Sequence, residues 1–131
     1  MDHLSYRIIG CAIEVHRQLG PGLLENVYEK CLQRELSLKN IDVLHQQWVP
    51  VNYKGLQLQA ELRFDLLIED LIIVEVKAID ALLPIHEAQL LTYMKLLEKP
   101  KGILLNFNSW NIVKQGLKSL VNERYAALKL E

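Results

Sequence analysis

The stretch Leu71–Ile79, LIIVEVKAI, constrains this chain more than any other. Side chains alternate across a strand. Leu71, Ile73, Glu75 and Lys77 therefore share one face, and Ile72, Val74, Val76 and Ala78 the other. Both faces begin apolar, the pattern of a strand covered on two sides, so the chain must supply layers above and below it. Yet a carboxylate and an ammonium stand in the middle of the run. Burying unpaired charge costs several kcal/mol. Glu75 and Lys77 mark either an ion pair on a wet strand end or a place where charge is used.

The covering layers are legible on either side of this strand. Leu4, Ile8, Cys11, Ala12, Val15 and Leu19 recur at helical intervals until Gly20-Pro21-Gly22 stops them. A second helix is predicted over roughly residues 24–39, with Val27, Tyr28, Cys31, Leu32 and Leu36 as its stripe and Asn40 as a left-handed terminator. From Val43 the chain turns extended, with Pro50 marking an edge or a bulge. Lys54-Gly55 reads as a turn into LQLQAELRFDLLI, and Glu69-Asp70 as the turn into the charged strand, which makes a three-strand meander. PIHEAQLLTYMKLLEK, residues 84–99, is a helix opened by Pro84, and GILLNF a short interior strand. NIVKQGLKSLV reads as one edge strand or hairpin, and ERYAALKLE as helical. The order α-α-β-β-β-α-β-β predicts one α/β domain over 1–131, a mixed sheet flanked by helices.

A net charge of −1 gives no basic footprint, which counts against a large polyanion partner without excluding one. Cys11 and Cys31 lack metal spacing and suit small core residues in a reducing cytoplasm. With no long apolar run and no basic-then-apolar leader, neither a membrane span nor a signal peptide is expected.

A second acid lies close in sequence to the charged strand. Asp65, in RFDLLI, precedes the turn at Glu69-Asp70. Acids on adjacent strands can form a hard-oxygen site for Mg²⁺, which needs one or two carboxylates plus waters. Asp65 could equally cap its strand end or pair with Arg63. Register separates these readings. A two-residue loop at 69–70 sets Asp65 against Val74 and turns it away from Glu75. A three-residue loop at 69–71, or a bulge, sets it opposite Glu75 on the same side.

Asp65 followed by Glu75-x-Lys77 resembles the signature of the PD-(D/E)XK nuclease superfamily, and the order of elements resembles its restriction-endonuclease-like core. More narrowly, GLLENVY (Gly22 to Tyr28), HEAQLLTYMK and LLNF resemble blocks of the small GxxExxY family. The similarity spans roughly Ile8 to Phe107.

The resemblance implies roles residue by residue. Asp65 and Glu75 are implied metal-binding acids for Mg²⁺ or Mn²⁺, with the Val76 carbonyl as a further ligand and Glu25 approaching from the second helix. Lys77 is implied to orient the attacking water and offset charge on the phosphate. Gln89 and Tyr93, one turn apart on the third helix, form a Q-x-x-x-Y motif that borders the active site in some branches. Tyr28 shares a helical face with Glu25, so it positions that acid or the substrate, or packs in the core. His86 is either a substrate contact or a helix-start surface histidine, and Asn106 a supporting polar group or a strand terminus. The expected activity is metal-assisted hydrolysis of nucleic acid, DNA before RNA, with a homodimer as one assembly; the stretch around Trp48 and Tyr53 is either its interface or core packing. The alternative is a catalytically silent nuclease fold that binds nucleic acid or scaffolds proteins.

Overall fold

The computed structural model describes residues 2–45 and 48–130, with side chains described except at 59–63 and 128–130. Helices α1 (Asp2–Leu19) and α2 (Glu25–Leu38) precede strands β1 (Val43–His45), β2 (Trp48–Tyr53), β3 (Leu56–Arg63), β4 (Leu66–Ile68) and β5 (Ile72–Lys77). Then come α3 (Pro84–Leu96), β6 (Lys101–Asn106), α4 (Ile112–Gln115), β7 (Leu117–Val121) and α5 (Glu123–Leu130). A five-stranded sheet runs in the order β1-β4-β5-β6-β7. Its β5–β6 pair is parallel and its other pairs antiparallel. This is the mixed, helix-flanked sheet of a restriction-endonuclease-like fold.

The strand that opened the argument is covered on both faces. Ile72, Val74 and Val76 pack with Ile8, Val15, Tyr28, Leu32 and Leu36 of α1 and α2. Ile73 packs on the opposite side with Leu90, Tyr93 and Met94 of α3. Neighbouring strands obey the same alternation, with Leu66, Ile68, Ile103 and Leu105 on the first side and Leu67 and Leu104 on the second.

Three expectations need correction. The predicted three-strand meander is split. The segment read as one strand breaks at Phe64-Asp65, and β3 pairs with β2 in a separate two-stranded sheet, with a register shift between Trp48 and Pro50. The break coincides with a tertiary bond: Asp65 Oδ2 accepts from the Val76 amide at 2.7 Å, a group that a further ladder rung would have used. The third helix stops at Leu96 rather than Lys99. Glu98 turns left-handed (φ 58°), and the Lys99 N–H bonds the Met94 carbonyl at 2.8 Å, the closing bond of a Schellman motif. After Asn108 the chain forms a one-turn helix before the edge strand, since Asn111 caps α4 by accepting from the Lys114 N–H at 3.0 Å.

The end of α2 forms as expected. Asn40 has φ 58°, and the Ile41 N–H reaches the Leu36 carbonyl at 3.0 Å, with both side chains buried in one core. Among the described residues, no helix is long and apolar enough to cross a membrane.

Candidate active site

The site is set by the turn between β4 and β5. Glu69 and Asp70 have φ of 52° and 57°, and the Leu71 N–H bonds the Ile68 carbonyl at 3.0 Å, a type I′ geometry that alone would pair Ile68 with Leu71. The ladder instead pairs Ile68 with Ile72, Leu67 with Ile73 and Leu66 with Val74, so Leu71 is an extra residue and the loop spans 69–71. One rung on, that register brings Asp65 opposite Glu75 and turns both to the same side.

The two acids are fastened to each other's strands. The Asp65 N–H donates to Glu75 Oε1 at 2.9 Å, while Asp65 Oδ2 accepts from Val76. Glu75 is 4% exposed and Asp65 half-buried. Burial pushes the Asp65 carboxyl up to about 6; the Val76 amide works against the rise, and Glu29 adds to it. Burial likewise pushes Glu75 up to about 8, and the neighbouring Asp65 charge reinforces the shift. Lys77, half-buried two residues along β5, pulls both acids the other way.

On the same face of the sheet as the two acids, α3 contributes Tyr93, which is 3% exposed. Its hydroxyl is held in the phenol form by burial, then by Glu75 and Asp65, so it lies within electrostatic reach of the pair. Gln89 is half-buried one turn earlier on the same helical face. His86 serves the start of α3, where its Nδ1 accepts from the Leu83 N–H at 2.9 Å.

The acid read on α2 behaves differently from the pair. Glu25 is exposed, and its Oε2 accepts from the Ala78 N–H at 3.3 Å, pinning the helix start to the end of β5. Tyr28 is fully buried; its ring stacks on Phe107 with centroids 4.7 Å apart. Its hydroxyl donates to the Gly20 carbonyl at 2.6 Å and accepts from the Leu23 N–H at 3.0 Å. The structure thus places Tyr28 in the packing.

Sequence reasoning passed over Glu29. It is 7% exposed, one turn beyond Glu25. Glu25 meets Ala78, while the far end of α2 leads through β1 to the Ile68–Ile72 end of the sheet, so α2 runs antiparallel to β5. Four helical residues advance about 6 Å and two strand residues about 6.6 Å. Glu29 therefore lies level with Val76, consistent with its push on both carboxyls. The signal was available: Glu29, Leu32 and Leu36 follow helical spacing, so the acid sits on the apolar stripe. Val27, assigned to that stripe instead, is 36% exposed.

The donor set suits a small hard cation. Asp65 Oδ1 and Glu75 Oε2 have no hydrogen bond among the described residues, and two adjacent buried carboxylates lack a full counter-charge. Among those residues no three His, Cys, Asp or Glu side chains gather closely enough to hold an ion between them, so Glu25 is not brought in as a third ligand. Two carboxylates with waters satisfy Mg²⁺.

The family model of the PD-(D/E)XK nuclease superfamily matches residues 2–120. No curated protein and no solved structure matches the chain. With the paired acids and the lysine on a sheet of the expected topology, and a family match over most of its length, this chain belongs to the PD-(D/E)XK nuclease superfamily.

Proposed function

We propose that the chain is a divalent-cation-dependent nuclease of the GxxExxY group that hydrolyses phosphodiester bonds, with DNA favoured over RNA on the strength of the resemblance. The observation that carries this reading is the mutual fastening of Asp65 and Glu75, with Lys77 next on the same strand face. Asp65, Glu75 and the Val76 carbonyl would hold Mg²⁺ or Mn²⁺, and Glu25 would reach it through water. Such an ion supplies an acidified water and neutralises charge on the phosphate.

The chain's own residues do the rest. Lys77 orients the attacking water and offsets charge growing on the non-bridging oxygens. Tyr93 keeps its proton and offers a hydrogen bond from the α3 side, and Gln89 lines the approach with an amide that can meet a base or a phosphate. His86, whose Nδ1 serves the helix start, would meet substrate through its other ring nitrogen. Trp48 and Tyr53, 50% and 61% exposed, support the hairpin as a homodimer contact. The free thiols of Cys11 and Cys31 fit a reducing cytoplasm.

The decisive experiment is a divalent-dependent cleavage assay on labelled single- and double-stranded DNA and RNA, with Lys77→Ala as control. Cleavage that needs the metal and vanishes in the variant supports the proposal. Cleavage that survives Lys77→Ala rejects it.

One observation favours a second reading, a silent nucleic-acid-binding or scaffolding module. Arg17, Lys99, Lys101, Lys118 and Arg124 are each paired with an acid, which weakens electrostatic grip on a polyanion. A silent module would melt at the same temperature with and without Mn²⁺ and would capture a stable partner.

A further inference from the structure

We propose that Asn106 is a positioning residue of this site: its side-chain amide fixes the backbone just past Lys77 and so sets the direction in which the ammonium leaves β5. The inference builds on the reading of Lys77 above.

Asn106 ends β6, directly after the apolar run Ile103 to Leu105, and is 2% exposed. It lies level with Lys77, since the parallel β5–β6 register ends on that pair. Its Oδ1 accepts from the Ile79 N–H at 3.1 Å and from the Asn108 N–H at 3.2 Å, and its Nδ2 donates to the Ile79 carbonyl at 3.0 Å. Asn108 Nδ2 adds a further bond to the same carbonyl at 3.3 Å. On the main chain, the Phe107 N–H holds the Lys77 carbonyl at 2.9 Å.

These bonds serve one purpose. β5 leaves the sheet after Lys77, so Ile79 has no ladder partner for its N–H and C=O, and unpaired groups there carry a desolvation penalty. The Asn106 amide replaces the missing rung, donor for acceptor and acceptor for donor. An apolar side chain would fill the volume but leave the Ile79 N–H open and its carbonyl with only the longer Asn108 bond. Among the described residues, the other side-chain bonds to residues 78–79 are both long: Asn108 Nδ2 to the Ile79 carbonyl and the exposed Ala78 N–H to Glu25, each at 3.3 Å. With the Asn106 amide gone, the segment beyond Lys77 keeps only these two weaker tethers. The lysine side chain is long, so a modest turn of its Cα carries the ammonium about 1 Å, a displacement that can slow chemistry about 100-fold.

Direct roles do not suit Asn106. It has almost no surface to offer a substrate, and its carbonyl oxygen already accepts two N–H groups, which leaves it poorly placed as a ligand.

The test reads Lys77 without substrate. Lysines are ¹³C-methylated, the Lys77 resonance is assigned by its loss in Lys77→Arg, and spectra are compared for the unaltered chain, Asn106→Ala and Asn106→Asp. The expected result is a displaced and broadened Lys77 signal in Asn106→Ala, a smaller change in Asn106→Asp, which keeps the acceptor half of the clamp, and an unmoved Lys54 on the distant hairpin. On a cleavable substrate, kcat falls about 100-fold in Asn106→Ala with KM and the Mn²⁺-induced rise in Tm retained. A folded Asn106→Ala whose Lys77 signal stays in place overturns the proposal; if that variant does not fold, an unchanged signal in Asn106→Asp overturns it equally. Should the unaltered protein cleave nothing, the hydrolase reading fails, and the resonance still decides the role of Asn106.

Discussion

Asp65 and Glu75 hold each other in place through the backbone while their charges repel. The Asp65 amide binds the Glu75 carboxylate at 2.9 Å, and the Asp65 carboxylate binds the amide directly after Glu75 at 2.7 Å. Neither side chain can swing away without breaking one of these bonds. Buried like charges fixed at this proximity disfavour double ionisation. A bound cation supplies the missing counter-charge, so charge state, stability and metal binding are linked at one place.

The first consequence is a pH profile. Both carboxyls sit above their ordinary range when folded, so the folded chain holds more protons than the unfolded one between those limits. Their contribution to stability is full below about pH 4 and is lost as pH rises through about 6 for Asp65 and about 8 for Glu75. In chelator, Tm should fall between about pH 5 and about pH 9, and millimolar Mg²⁺ or Mn²⁺ should flatten the fall. Thermal melts across that range check this. A chelated protein equally stable at both ends would show that the pair is not strained.

Glu75→Gln separates stability from function. The amide oxygen can still accept from the Asp65 N–H, while the buried charge and its repulsion of Asp65 disappear. Above about pH 8 the metal-free variant should be more stable than its parent by about 1–2 kcal/mol, read as several degrees in Tm. It should also lose the metal-induced rise and any cleavage. A variant less stable than its parent at high pH contradicts this account.

Much of this geometry was legible before any coordinates, for identifiable reasons. Period-two alternation placed both faces of residues 72–77, and the two-sided cover followed. Whether Asp65 met Glu75 came down to one residue of loop length. The Glu69-Asp70 turn read correctly, but its backbone does not announce that Leu71 is extra. The split of the meander was not legible, because the break at Phe64-Asp65 coincides with a tertiary bond to Val76, not with any local turn residue. Glu29 was missed for another reason: a stripe drawn through apolar residues alone steps over an acid lying within it. Asn106 presented a comparable difficulty, since its partners at Ile79 are distant in sequence.

Glu29→Gln tests that overlooked acid. Its carboxylate raises both Asp65 and Glu75, so removing its charge should lower both carboxyls and move the chelator Tm profile toward lower pH. The amide keeps the volume at a 7% exposed position, so the fold should survive. Side-chain ¹³C titration of the two acids measures the effect directly. Unchanged titration curves would place Glu29 too far away to matter.

The approach of α3 to the sheet rests on Gly102. A Cβ built there meets Leu90 Cγ at 2.7 Å and both Cδ atoms at 2.8 Å, so the whole isobutyl group, including its branch point, already occupies the space a side chain would need. Leu90 is fully buried between Gln89 and the turn that carries Tyr93, and it cannot yield without moving the helix that lines the site. Gly102→Ala should therefore destabilise the chain by about 1–3 kcal/mol in urea unfolding. Adding Leu90→Ala creates its own cavity but relieves that overlap, so the double variant should lose less than the sum of the two single losses. Strict additivity would mean that the helix is seated by something other than this contact.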